Sequence, residues 1–93
     1  MMGLGYALTE DIHFKGGQLF TTNFHNYTVP RFSWMPEIDA ILVKNDELDP
    51  QGGGEPAIVP VGGAIANAVF DAIGVRVFQM PLTPDRINAA SKV

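Results

Sequence analysis

The sequence predicts an α+β fold: a β-hairpin and further strands packed with one buried helix and a short C-terminal helix. Three observations predict it. Two short apolar runs flank Gly16-Gly17, as strands flank a tight turn. Residues 61–73 carry apolar side chains at helical spacing and end on Gly74. Thr83-Pro84-Asp85 has the chemistry of a helix start.

Taken in order, Tyr6-Ala7-Leu8 reads as the close of a helix whose cap and first turn are not evident. The chain is therefore expected to begin mid-element. In the hairpin, Ile12–Lys15 and Gln18–Thr21 set Phe14 opposite Leu19 and Ile12 opposite Thr21, with His13 and Phe20 sharing the other face. Asn23–Tyr27 with Val29-Pro30 reads as an extended loop, and Pro30 and Pro36 exclude a central strand there. Glu37–Val43 reads as a strand ending in a continuous apolar run, so both of its faces are expected to be covered. Asn45, Asp46, Asp49, Pro50 and Gly52–Gly54 are punctuation. In residues 61–73, Ile65, Val69 and Ile73 recur every fourth position, and only Asn67 and Asp71 are polar. A helix this apolar is expected to be buried. Val75–Met80 alternates as a strand does. Thr83 then caps the last helix, with Pro84 in its first turn and Asp85 complementing the dipole.

With 93 residues there is one small domain at most, spanning residues 1–93. An apolar fraction of 46% is that of a folded protein. Net charge is −4, and Lys15, Arg31, Lys44, Arg76, Arg86 and Lys92 are scattered, which argues against nucleic acid as a partner. The absence of cysteine removes disulfides, thiolate metal sites and Fe–S ligands from this chain. Met1–Leu8 does not read as a secretory leader, leaving cytoplasm and periplasm both open. No apolar run approaches a membrane span.

Four features invite a functional reading. Gly3-x-Gly5 lacks the preceding strand and third glycine of a dinucleotide site, so it reads as helix packing. His13 and His25 match no metal-ligand spacing. Trp34-Met35-Pro36 reads as packing. Gly52-Gly53-Gly54-Glu55-Pro56 is the strongest candidate: glycines let a cofactor reach the backbone, Pro56 fixes the chain after Glu55, and a helix follows. A carboxylate held there becomes a useful base when partly desolvated. Without a cofactor the same residues make a glycine-rich surface loop with an exposed Glu55.

Gly3–Glu10, Tyr27-x-Val29-Pro30, Gly54-Glu55-Pro56, Ala64–Val69 and Pro81–Pro84, in that order, resemble the C-terminal end of a molybdenum hydroxylase large subunit. The family is that of xanthine dehydrogenase and aldehyde oxidoreductase. The likeness is to its branch of isoquinoline 1-oxidoreductase beta subunits, over residues 3–88. The resemblance implies that Glu55 is the catalytic base. It implies that Gly53 and Gly54 border molybdopterin, in its cytosine dinucleotide form. It implies a reaction in which an N-heterocycle or aldehyde is hydroxylated with water as oxygen source. The implied partners are a small Fe–S subunit and the remainder of the large subunit. Gly52–Gly54 is richer in glycine than the family's usual pattern, and Val61-Gly62-Gly63 stands where the family commonly has an apolar stretch with proline or alanine. The chain is thus expected to be a fragment of a larger molybdopterin-binding domain. Alone it is expected to be inactive and to self-associate through uncovered apolar surface. The competing class is a stand-alone, non-catalytic interaction or dimerisation module.

Overall fold

Glycine and alanine in a short helix let other chain segments press close to it, and the fold is organised around that helix. The computed structural model describes residues 1–92. Its elements are α1 (Met2–Leu8), β1 (Phe14–Lys15), β2 (Gln18–Leu19), α2 (Val61–Ile73) and α3 (Pro84–Ala90), with single 3-10 turns at Phe32–Trp34 and Glu55–Ala57.

The start of the chain forms a seven-residue helix with no side-chain cap at Met1. Its buried residues are Gly3, Gly5 and Ala7. A Cβ at Gly3 would lie 2.8 Å from the Val61 side chain at the start of α2, and one at Gly5 would lie 2.7 Å from Pro30 Cγ. The Gly3-x-Gly5 pair is therefore a packing feature, as its sequence context indicates. The Leu82 N–H donates to the Ala7 carbonyl at 2.6 Å, bringing the entry to α3 onto the same helix. Ala7 and Leu82 are the buried hydrophobic residues.

Three successive polar residues after α1 tie it to the early loop and to α3. The Thr9 hydroxyl donates to the Thr28 carbonyl at 3.1 Å. Glu10 accepts from the Tyr27 hydroxyl. Asp11 pairs with Arg86 of α3 at 3.0 Å, with both side chains largely covered, and Arg86 also donates to the Pro81 carbonyl at 3.0 Å.

The hairpin has the expected register, Phe14 opposite Leu19 and Lys15 opposite Gln18. Gly16 and Gly17 take φ of 58° and 78°, a pair of left-handed values that side-chain-bearing residues resist. Pairing continues outward: the Phe20 N–H donates to the His13 carbonyl at 2.8 Å, and the His13 N–H to the Thr21 hydroxyl at 2.9 Å. Helix α2 has the bounds its periodicity predicts. Gly74, at φ 71°, closes it with an N–H bond to the Phe70 carbonyl. Arg76 then lies over the Phe70 ring at 3.6 Å and donates to Asn67 at 2.8 Å. Helix α3 starts as expected, with the Thr83 hydroxyl accepting from the Arg86 N–H.

Three expectations are corrected. Helix α2 is not buried: only its α1-facing side is partly covered, and Phe70 and Ile73 are 39% and 53% exposed. Glu37–Val43 and Val75–Met80 form no strand, and the chain bends at Gln79 and Met80. The physical reason is common to all three. Apolar periodicity states what a segment can bury, and these residues do not provide the surface that would bury it. The radius of gyration is 16.9 Å, against about 12 Å for a compact domain of this length.

Two tests follow from the packing on α1. Gly5→Ala should lower the unfolding free energy by about 1–3 kcal/mol, because a methyl group there meets Pro30 and Glu10. Urea denaturation followed by far-UV circular dichroism measures it. The hydrogen bond to Glu10, then loss of water, then the negative charge of Glu10 push the Tyr27 phenol above its usual range. The pair's contribution to stability is therefore present at neutral pH and lost as pH rises through that raised titration. Phenolate absorbance should show Tyr27 titrating late in the unmodified chain and earlier in Glu10→Gln.

Candidate functional site

The residues around Glu55 divide into a free part and a fixed part. Upstream, Gly52, Gly53 and Gly54 have no atom within 4 Å of where a Cβ would stand. None has a left-handed φ, so the glycines are not serving a turn here. Downstream, order begins at Glu55 itself. Its carbonyl accepts the N–H groups of Ile58 at 2.9 Å and Val59 at 3.1 Å. The Val61 N–H then donates to Ile58 at 3.3 Å, and the Ala64 N–H to Pro60 at 2.9 Å, opening α2. The backbone of Glu55 is thus the first step of a helical staircase that docks on α1 through Val61. Pro56 and Pro60 suit this role, since each pre-sets φ where a turn begins.

The Glu55 side chain is exposed. The desolvated carboxylate expected from the sequence is not formed by these residues alone. Val61 has already spent its N–H, so the helix start offers fewer free donors than the sequence reading assumes. Beside the staircase lies a cleft of about 290 Å3 lined by Gly3, Tyr6, Ala7, Val59, Gly62 and Met80. Its floor is tight: a Cβ on Gly62 would lie 2.8 Å from Met80 Sδ.

The histidines stay apart from this region. His13 is in the hairpin and His25 packs against Asn23 in the following loop. Among the described residues no group of three His, Asp or Glu side chains could hold a metal ion. Thr9, Glu10 and Asp11 fix the scaffold, and pattern reading of the sequence does not single them out. Three consecutive polar residues directly after an apolar helix are the available signal.

Taken as one stretch, Glu55–Ile73 has 19 residues and a mean hydropathy of 1.5, long and apolar enough by length and composition to cross a membrane. That revises the expectation that no run approaches a span. Its regular part, α2, has 13 residues. At 1.5 Å per residue that is about 20 Å, short of a hydrocarbon core of about 30 Å.

No family model matches the chain. Individual relatives do. The chain is 36% identical to one subunit of the nicotinate dehydrogenase of Pseudomonas putida, over 90% of its own length and 7% of that protein. It is 38% identical to the putative xanthine dehydrogenase molybdenum-binding subunit XdhA of Escherichia coli K12, over 92% of its length and 12% of that subunit. It is 34% identical to the aldehyde oxidoreductase molybdenum-binding subunit PaoC of the same organism, over 92% of its length and 13% of that subunit. The class so defined is the molybdenum-binding subunits of oxidoreductases. Within it, the chain is a relative of the xanthine dehydrogenase and aldehyde oxidoreductase family and spans a small part of the length of those proteins.

Because the Gly53 Cβ position is open and its φ ordinary, Gly53→Ala should leave the free chain's stability unchanged or raise it by about 0.4–1 kcal/mol. Thermal denaturation of the two proteins checks this. A loss of more than that would mean the glycine stretch already serves the fold of this chain.

Proposed function

We propose that this chain is the C-terminal segment of the molybdenum-binding subunit of a hydroxylase that oxidises N-heterocycles or aldehydes with water as oxygen source. In this reading Glu55 is the general base. The observation that carries it is similarity over nine-tenths of the chain to subunits named as molybdenum-binding. The geometry is compatible: one carboxylate stands where an open glycine stretch meets a fixed helical staircase.

The residues fit a cofactor that approaches from outside. Gly53 and Gly54 present main chain without side chains, with nothing within 4 Å of their Cβ positions, so the edge of a molybdopterin, in its cytosine dinucleotide form, can lie against them. The chain offers that group one edge and no enclosure. In this reading its share of the chemistry is a base. When bound, the cofactor supplies the two-electron oxidation and the activation of oxygen.

Glu55 accepts a proton at a carboxylate oxygen from the water-derived nucleophile as it attacks an electron-poor carbon. The hydrogen bonds from Ile58 and Val59 to its own carbonyl hold the backbone that aims it. Covering by the rest of the subunit strips water from the carboxylate and strengthens it as a base. Electrons leave through a separate small Fe–S subunit. The isolated chain, with Glu55 uncovered, has no activity in this reading.

A chimaera tests the proposal. This chain replaces the matching segment of the Escherichia coli xanthine dehydrogenase molybdenum-binding subunit, expressed with that enzyme's companion subunits. The expected result is bound molybdenum and N-heterocycle oxidation, with Glu55→Gln lowering kcat by about 10²–10⁴-fold at unchanged molybdenum content. Gly53→Ala, harmless to the free chain, should lower molybdenum content in the chimaera. Turnover indifferent to Glu55→Gln would overturn the base assignment and favour a structural module without catalysis.

A further inference from the structure

The most exposed apolar run of the chain is also its best strand sequence. Ile38 is 64% exposed, Ile41 80%, Leu42 97% and Val43 86%. The segment has no helix or strand of its own, and among the described residues no backbone hydrogen bond joins residues 36–44 to any other part of the chain. Successive side chains of an extended segment point to opposite sides. As a strand, the segment would place Asp39, Ile41 and Val43 on one side and Ile38, Ala40 and Leu42 on the other, so both sides are apolar from Ala40 onward. A strand on a solvated edge keeps one face polar, whereas one apolar on both sides is interior to a layered sheet. Once such a segment is buried, its free N–H and C=O groups need strand partners.

The occupant of both faces is settled by area. The chain exposes 7983 Å2. A compact monomer of its mass exposes about 5,300 Å2, leaving an excess of about 2,700 Å2. A standard interface removes about 800 Å2 from each partner. The excess is also spread over distant places, with Phe24, Phe32 and Phe78 each more than 80% exposed. A two-fold pairing of identical copies covers one self-complementary patch. A longer polypeptide can cover all of them, and the curated relatives are such polypeptides, this chain spanning 7–13% of the three compared above.

We propose that Ile38–Val43 is an interior strand of a sheet whose neighbouring strands and covering layers belong to the remainder of a longer subunit. The proposal rests on the fragment reading above. Its partner is thereby specified: a polypeptide with an unpaired strand edge and apolar surface on both sides of it.

Hydrogen exchange at the amides of residues 38–43 tests it, measured in the chimaeric protein and in the free chain at several concentrations. The expected result is exchange at least about 100-fold slower in the chimaera, and fast exchange in the free chain at every concentration. Protection of these amides that grows with free-chain concentration would assign the segment to a second copy and overturn the proposal. A chimaera that binds molybdenum but leaves residues 38–43 unprotected would overturn the strand and leave the proposed function standing. Protection in a chimaera that binds no molybdenum would support the strand and defeat the proposed function.

Discussion

The structure depends on the close approach of other segments to α1, made possible by glycine at positions 3 and 5. Val61 sits against Gly3, Pro30 against Gly5, and the Leu82 N–H reaches the Ala7 carbonyl. Segments from the early loop, the middle and the end of the chain meet on seven residues. Little apolar area is buried there, so steric fit and directed hydrogen bonds carry more of the specification than hydrophobic mass does. A junction of this kind is intolerant of added atoms, because Val61 and Pro30 already lie at contact distance from the helix.

The junction also fixes what can be fixed of the Glu55 region. Val61 is the point at which α2 docks on α1, and the staircase from Glu55 leads directly into it. Orientation is therefore transmitted to Glu55 from its C-terminal side only. The glycines on the other side transmit nothing, since they touch nothing. An arrangement anchored on one side and free on the other suits a residue that must meet a group held by a different part of a larger protein.

Much of the fold is legible wherever the signal is local. Two consecutive positive-φ positions are needed for the hairpin, and Gly16-Gly17 announces them. Gly74 terminates α2 through its own left-handed φ, and Thr83 caps α3 through its own hydroxyl, so sequence suffices for both. Glu37–Val43 reads as a strand because it ends in a continuous apolar run, and Val75–Met80 because its side chains alternate, but a strand exists only with a partner, and neither pattern says where the partner is. The same gap explains the burial expected of α2. At the site, the identity and backbone setting of Glu55 can be read. Its exposure cannot, because burial is a property of whatever surrounds it. The Asp11–Arg86 contact joins residues too far apart in sequence for pattern reading to link.

The ion pair between Asp11 and Arg86, together with the Leu82–Ala7 bond, ties together two points on either side of most of the chain. Between them runs the exposed stretch from Arg31 to Gly54. For a flexible loop the entropy of closure rises only logarithmically, so doubling its length costs about 0.6 kcal/mol. The knot on α1 is in this sense insulated from the stretch it closes. Outside Ile38–Val43 and the glycines, that stretch can change length at little cost to the knot, while the geometry leading to Glu55 is kept.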